Sequence, residues 1–170
     1  MLVQSQVMSW QHIITDRKRM IEIQAPNPSP EKTMLSVFLA GSIEMGAAEN
    51  WQTRIVNECK DDRVIFYNPR RDDWDSSWKQ TKDDPQFSEQ VRWELDHLEK
   101  ADLIVMYFDP NTKSPITLLE LGIHAQGAAM IVCCPEGFYR KGNVDIVCDR
   151  YGIAQVETLD EIIHRIKMAQ

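Results

Sequence analysis

Glu120 lies in the run Ser114-Pro115-Ile116-Thr117-Leu118-Leu119-Glu120-Leu121-Gly122-Ile123-His124-Ala125, flanked by four large aliphatic side chains. A carboxylate in such company is either the polar edge of an amphipathic helix or an acid held in a semi-buried site. Ser114 at the cap and Pro115 at the first helical position open that helix. The cap is too far from Glu120 for the helix dipole, which fades within the first turn, to govern its ionisation. A second acidic group, Glu94 and Asp96, stands in Trp93-Glu94-Leu95-Asp96. Helical spacing puts Glu94 on the face of Leu98 and turns Asp96 elsewhere. On pattern alone these are solvated helix charges. Two carboxyl groups brought to one reacting bond would supply a nucleophile and an acid.

Other candidates are less pointed. Gly41-Ser42 ends a short apolar segment, and such a turn lets backbone N–H groups approach a ligand oxygen or is simply a turn. It has neither the glycine pattern of a dinucleotide fold nor the Gly-Lys-Ser/Thr of a P-loop. Asn68–Gln86 holds Arg70, Arg71, Asp73, Trp74 and Trp78 with no clear periodicity. A connection that long is often functional. Its tryptophans suit stacking on a flat ligand or anchoring the loop to the core. The four cysteines (Cys59, Cys133, Cys134, Cys148) and four histidines show no metal-ligand spacing. Buried thiols in a reducing cytosol, with no metal site, are the expectation.

The elements that must position these groups alternate. Apolar strands are expected at Ser36–Ala40, Val64–Tyr67, Leu103–Phe108 and Met130–Cys134, with a weak fifth at Gln155–Val156. Helices are expected at Trp51–Lys60, at Phe87–Lys100 with a stripe of Val91, Leu95 and Leu98, from Ser114, at Asn143–Arg150, and after the capping box Thr158-Leu159-Asp160-Glu161. Strands apolar throughout, separated by helices, indicate a parallel sheet covered on both faces. The fold class is therefore α/β: a flavodoxin-like or Rossmann-like, doubly wound, five-stranded parallel sheet. Its ligands would bind at the carboxyl ends of the strands, near the switch in strand order. Residues 1–35 read as an extension: weak alternation at Met20, Ile21 and Ile23, then three prolines (Pro26, Pro28, Pro30) forming an extended connector. Residues 36–170 form the domain.

Composition narrows the function classes. Nineteen Lys and Arg against 26 Asp and Glu give a net charge of −7, a poor basis for binding a nucleic-acid polymer or an anionic membrane. No apolar run approaches the ~20 residues of a membrane span. The first twenty residues do not read as a secretory signal, so a cytoplasmic location is expected.

Five segments stand in order: Phe38-Leu39-Ala40-Gly41-Ser42, Asn68-Pro69-Arg70-Arg71-x-x-Trp74, Trp93-Glu94-Leu95, Ser114-Pro115-Ile116-x-Leu118-Leu119-Glu120-Leu121-Gly122 and Cys134-Pro135-Glu136-Gly137-Phe138. The ensemble resembles the nucleoside 2-deoxyribosyltransferase-like superfamily from about residue 36 to 151. The resemblance implies that Glu120 is the nucleophile and that the carboxyl group at Glu94, where better-known relatives have Asp, transfers a proton to the base; Asp96 is the nearby alternative. It implies an enzyme that cleaves or transfers the N-glycosidic bond of a 2′-deoxynucleoside through a glycosyl-Glu intermediate, with no cofactor. Partners would be a deoxynucleoside or deoxynucleotide and a free nucleobase. Gly41, Ser42, Asn68, Arg70, Arg71, Asp73, Trp74, Trp78, Ser114 and Asn143 would bind substrate. In relatives a neighbouring subunit can complete the site, which implies a homo-oligomer and a role for Arg140 or Asn143 across the interface. Relatives that cleave 5′-monophosphates have Arg where this chain has Glu44, which favours a nucleoside, whereas Ser114 matches a phosphate- or hydroxyl-contacting serine. A 5′-monophosphate N-glycosidase, a non-catalytic nucleotide-sensing module and an N-glycosidase acting on another partner are the alternatives.

Overall fold

The computed structural model describes residues 20–43, 48–73, 75 and 77–170. Six strands form one sheet: β1 (Ile21–Gln24), β2 (Leu35–Gly41), β3 (Val64–Asn68), β4 (Leu103–Tyr107), β5 (Met130–Cys133) and β6 (Ala154–Val156). Five helices connect them: α1 (Trp51–Glu58), α2 (Pro85–Lys100), α3 (Pro115–His124), α4 (Lys141–Tyr151) and α5 (Leu159–Met168). The strand order is β1-β3-β2-β4-β5-β6, and every pairing is parallel. The five strands from β2 onward follow the doubly wound order read from the sequence. The sixth, β1, comes from the segment read as an extension. Its residues Ile21 to Gln24 pair in register with Ile65 to Asn68 of β3. The five-strand expectation is thus corrected to six, because a short, half-polar run gains its partner from a strand distant in sequence.

Period-two alternation splits the core between the two faces of the sheet. Phe38, Ala40, Ile104, Met106 and Val132 face α2, α3 and α4. Val37, Leu39, Val105, Ile131 and Cys133 face α1 and α5, where Trp51, Ile55, Ile162 and Ile166 complete the layer. Burying each of these large side chains stabilises the fold by roughly 1.5–3 kcal/mol. All four cysteines are buried within these layers.

Helix α2 departs from the expected stripe. Asp84 caps it by accepting from the Phe87 N–H at 3.0 Å, and Pro85 follows as the first residue. Its buried residues are Gln90, Trp93, His97 and Leu98, whereas Leu95 is exposed. The inner face therefore runs through 90, 93, 94, 97 and 98. Trp93 outcompetes the smaller Val91 and Leu95 for the sheet, stacking on His97 and packing against Phe38. Its indole Nε1 donates to the Asn27 carbonyl at 2.8 Å. The turn after β1 thereby holds the helix that carries Glu94.

Candidate active site

The strand order reverses between β2 and β4, and the carboxyl ends of these two strands meet there. Gly41 ends β2 with φ +146°, and a Cβ on it would lie 2.4 Å from the Tyr107 carbonyl oxygen and 2.9 Å from the Trp51 ring. Only glycine lets the two backbones approach this closely. Ser42 follows, its N–H donating to the Tyr107 carbonyl at 2.9 Å. The crevice opens where doubly wound sheets bind ligands.

A buried hydroxyl cluster lies beside this strand end. Ser42 Oγ and Ser114 Oγ are 2.5 Å apart, and Thr112 Oγ1 lies 3.0 Å from the first and 2.7 Å from the second. The Asp109 N–H donates to Ser42 Oγ at 2.8 Å. Ser114 holds the cap position of α3, as its sequence context implies, but its hydroxyl makes no capping hydrogen bond. Its backbone is left-handed, φ 45°, a conformation costing roughly 1–2 kcal/mol outside glycine. The tertiary hydroxyl cluster thus overrides the local cap and turns Ser114 toward β2.

Two carboxyl groups stand on the neighbouring helices α2 and α3. Glu120, on the second turn of α3, is 8% exposed. Burial pushes its carboxyl up to about 8, and the nearby Glu94 carboxylate adds to the rise. Glu94, half-buried on α2, is pushed up to about 7 by burial, partly offset by a hydrogen bond from Gln90. Gln90 Nε2 donates to Glu94 Oε1 at 2.7 Å and to the Pro69 carbonyl at 2.9 Å. The Glu94 carboxylate opposes ionisation of Glu120, so the protonation of the two groups is coupled. Glu94 holds the lower of the two values, so as pH rises it ionises first and Glu120 keeps its proton longer. Asp96 is exposed on the outer side of α2 and does not join them.

The remaining sequence candidates fall into three groups. Asn68 is committed to the frame: its Nδ2 donates to Glu22 on β1 at 2.7 Å and its Oδ1 accepts from the Arg70 N–H. Arg70 points its guanidinium at the carbonyls of Ala48 and Glu49 and at Gln52, holding the start of α1. Arg71, its side chain 6% exposed, forms a bidentate pair with Asp73 at 2.8 Å. Its guanidinium lies over the Trp78 ring at 4.9 Å, and the hydrogen bonds from Arg71 hold Asp73 below the usual carboxylate range. Arg71, Asp73 and Trp78 thus form one unit at the mouth of the loop. Asn143 is exposed on the first turn of α4, near the Tyr139 ring that lies beneath Lys113 and Arg140. Trp74 and Glu44 lie outside the described residues.

Sequence reasoning missed Gln90, Asp109 and Thr112. The signal for Gln90 was its place one helical turn before Glu94. Thr112 and Asp109 follow the carboxyl end of β4, where a ligand was expected, but nothing in their spacing marked them. Among the described residues no helix is long and apolar enough to cross a membrane, and no three His, Cys, Asp or Glu side chains form a group able to hold a metal ion.

Seven chains of solved structures match this one. One is described as a conserved protein from Enterococcus faecalis V583: TM-score 0.58, 14% sequence identity, covering 81% of this chain and 100% of that chain. At that identity the likeness concerns the fold. No curated protein matches the chain. The family model described as nucleoside 2-deoxyribosyltransferase like matches residues 34–138, from the start of β2 to Phe138, and the chain belongs to that family.

Proposed function

We propose that the protein is an enzyme that breaks the N-glycosidic bond of a 2′-deoxynucleoside, with Glu120 as nucleophile and Glu94 as proton donor. The observation that carries this reading is the electrostatic coupling of two carboxyls, buried Glu120 on α3 and half-buried Glu94 on α2. Burial raises both groups above the usual carboxylate range. A merely structural carboxylate would be paired or solvated.

One proton between the pair supplies both roles once it passes from Glu120 to Glu94. Ionised Glu120 attacks the anomeric carbon and forms a glycosyl ester as the bond to the base breaks. The bonding electrons leave with the base nitrogen, which takes the proton from Glu94. The reverse sequence with a second base gives transfer, and with water gives hydrolysis. Positive charge developing on the sugar favours the microstate with Glu120 ionised. The hydroxyls of Ser42 and Ser114 would suit the sugar's oxygens, and the Trp78 ring, held by Arg71, would suit a flat base. We further propose a cytoplasmic homo-oligomer. Ile116, Leu119 and Ile123, each more than half exposed, form an apolar row along the helix that carries Glu120.

The test is incubation with 2′-deoxynucleosides, then with their 5′-monophosphates, each with and without a free acceptor base, the products resolved by chromatography. Base release from nucleosides is the expected result. Release from monophosphates alone would move the substrate class to nucleotides. Ligand-dependent thermal stabilisation without consumption of any substrate would reject the enzyme in favour of a sensing module. A quenched reaction should also show Glu120 carrying one sugar by peptide mass spectrometry.

A further inference from the structure

Resting on that reading, we propose that Gln90 is a positioning residue for the proton donor: its amide determines which oxygen of Glu94 carries the transferable proton. The amide is fixed from two sides. Nε2 lies 2.7 Å from Glu94 Oε1 and 2.9 Å from the Pro69 carbonyl oxygen. Both neighbours are acceptors when Glu94 is ionised, and the carbonyl always is. The atom between them is therefore the nitrogen, because the flipped amide would set oxygen against oxygen. Gln90 is 3% exposed, so bulk water does not compete for these bonds. Pro69 directly follows β3, which ties the amide, and through it the acid on α2, to the end of a central strand.

Two consequences follow for the proton. With Oε1 accepting from an N–H, a hydrogen on Oε1 would face the amide hydrogen, so the proton of neutral Glu94 sits on Oε2. The proton is thereby confined to one oxygen rather than exchanging between two. After transfer to the base nitrogen, Glu94 is a carboxylate and the bond from Gln90 becomes charge-assisted. That bond is stronger after proton transfer than before, the condition for an interaction that accelerates a step rather than merely binding. Glu120, on the adjoining helix, is electrostatically coupled to Glu94; burial opposes ionisation of Glu94, and the hydrogen bond from Gln90 counters it.

The experiment compares wild type with Gln90→Leu and with Gln90→Met, the second keeping length and volume without the N–H. Carboxyl titration by carbon-13 NMR on the ligand-free protein needs no turnover, and Glu94 should titrate at higher pH in both variants. On a natural deoxynucleoside kcat should fall roughly 10- to 100-fold, the range of a hydrogen bond to a charged group, with KM little changed. On an aryl 2-deoxyriboside whose phenolate leaves without a proton, the loss should shrink to a few-fold. Unchanged titration of Glu94 in a folded variant overturns the proposal. So does an equal loss on both substrates, which marks a purely structural tie between α2 and β3. Absence of wild-type turnover on either substrate would instead sink the enzymatic reading, with the titration still deciding whether Gln90 acts on Glu94.

Discussion

Strands β2 and β4 lie side by side, and the two ends of this pair treat acidic groups in opposite ways. At the amino-terminal end Asp102 is fully served. Its Oδ2 accepts from the backbone and hydroxyl of Ser36 at 3.0 and 2.9 Å, and its Oδ1 meets Lys32 at 2.6 Å. Burial works against its charge, but the bonds from Lys32 and Ser36 win and hold it below the usual carboxylate range. At the carboxyl-terminal end Glu120 meets another carboxyl, and both groups rise. The fold can evidently satisfy a carboxylate between these strands. Two carboxyls raised by burial at the other end are what the proposed reaction would use, because perturbed groups of this kind cluster at functional sites.

Breaking the comparison at its reactive end should have the largest effect. Glu120→Ala should lower base release at least about a thousandfold, as loss of a nucleophile does, with circular dichroism unchanged. Glu94→Gln should cost about a hundred- to ten-thousandfold on substrates whose base needs a proton. Asp102→Asn, at the satisfied end, should keep turnover within about twofold, since hydrogen bonds from Ser36 to the side chain persist. Equal losses from Glu120 and Asp102 substitutions would erase the distinction.

The same contrast sets the pH profile. Below about 7 both carboxyls of the site are neutral and no nucleophile exists; above about 8 both are ionised and no acid remains. Turnover should follow a narrow bell centred between the two values, measured as kcat/KM against pH. A profile flat from pH 5 to pH 9 would show that the pair does not exchange the proton.

How much of this was legible in the residues differs between the two ends. The sheet was readable because its central strands are apolar throughout, so burial on both faces follows from composition alone. Glu120 was conspicuous as a charge inside an apolar helix. Glu94 was not: by pattern it was one of several helix acids, and although its spacing put it on the face of Leu98, the expected stripe also turned Leu95 inward, which is exposed. What decides the face is Trp93, whose indole finds the Asn27 carbonyl on the turn after β1, a contact across 66 positions that no local periodicity encodes. β1 was hidden for the same reason. Ser114 shows the converse failure, in which a correct local cap position is overruled by hydroxyls that only folding brings near.

Gly41 tests how tightly the two strand ends must approach. Gly41→Ala places a methyl 2.4 Å from the Tyr107 oxygen at φ +146°. It should destabilise the protein by at least about 2 kcal/mol through forced backbone displacement. If the strand ends separate, Ser42 leaves Tyr107 and Ser114, so KM should rise in whatever fraction remains folded. A fully stable variant with unchanged KM would show that this close approach is not needed to form the crevice.

The smallest effects are in stability, and their signs oppose each other. Glu120 binds its proton more tightly folded than unfolded, where its value is near 4.5. Between that pH and about 8 the native state holds the extra proton, so stability falls as pH rises across this window. Glu120→Gln removes the need to ionise a buried group. It should raise stability on the order of 2 kcal/mol at pH 8.5 and change little at pH 4.5. Asp102 has the opposite linkage: its folded value lies below 3.8, so the unfolded chain holds the extra proton and the contribution disappears as pH falls through the folded value. Asp102→Asn should therefore cost about 1 kcal/mol at pH 6, reduced by the partial exposure of the Lys32 pair, and less below pH 4. Urea unfolding of both variants at pH 4.5, 6 and 8.5 reads the two slopes directly. If Glu120→Gln instead destabilised the protein at pH 8.5, Glu120 would have to be satisfied as a carboxylate, and the contrast between the two strand ends would vanish.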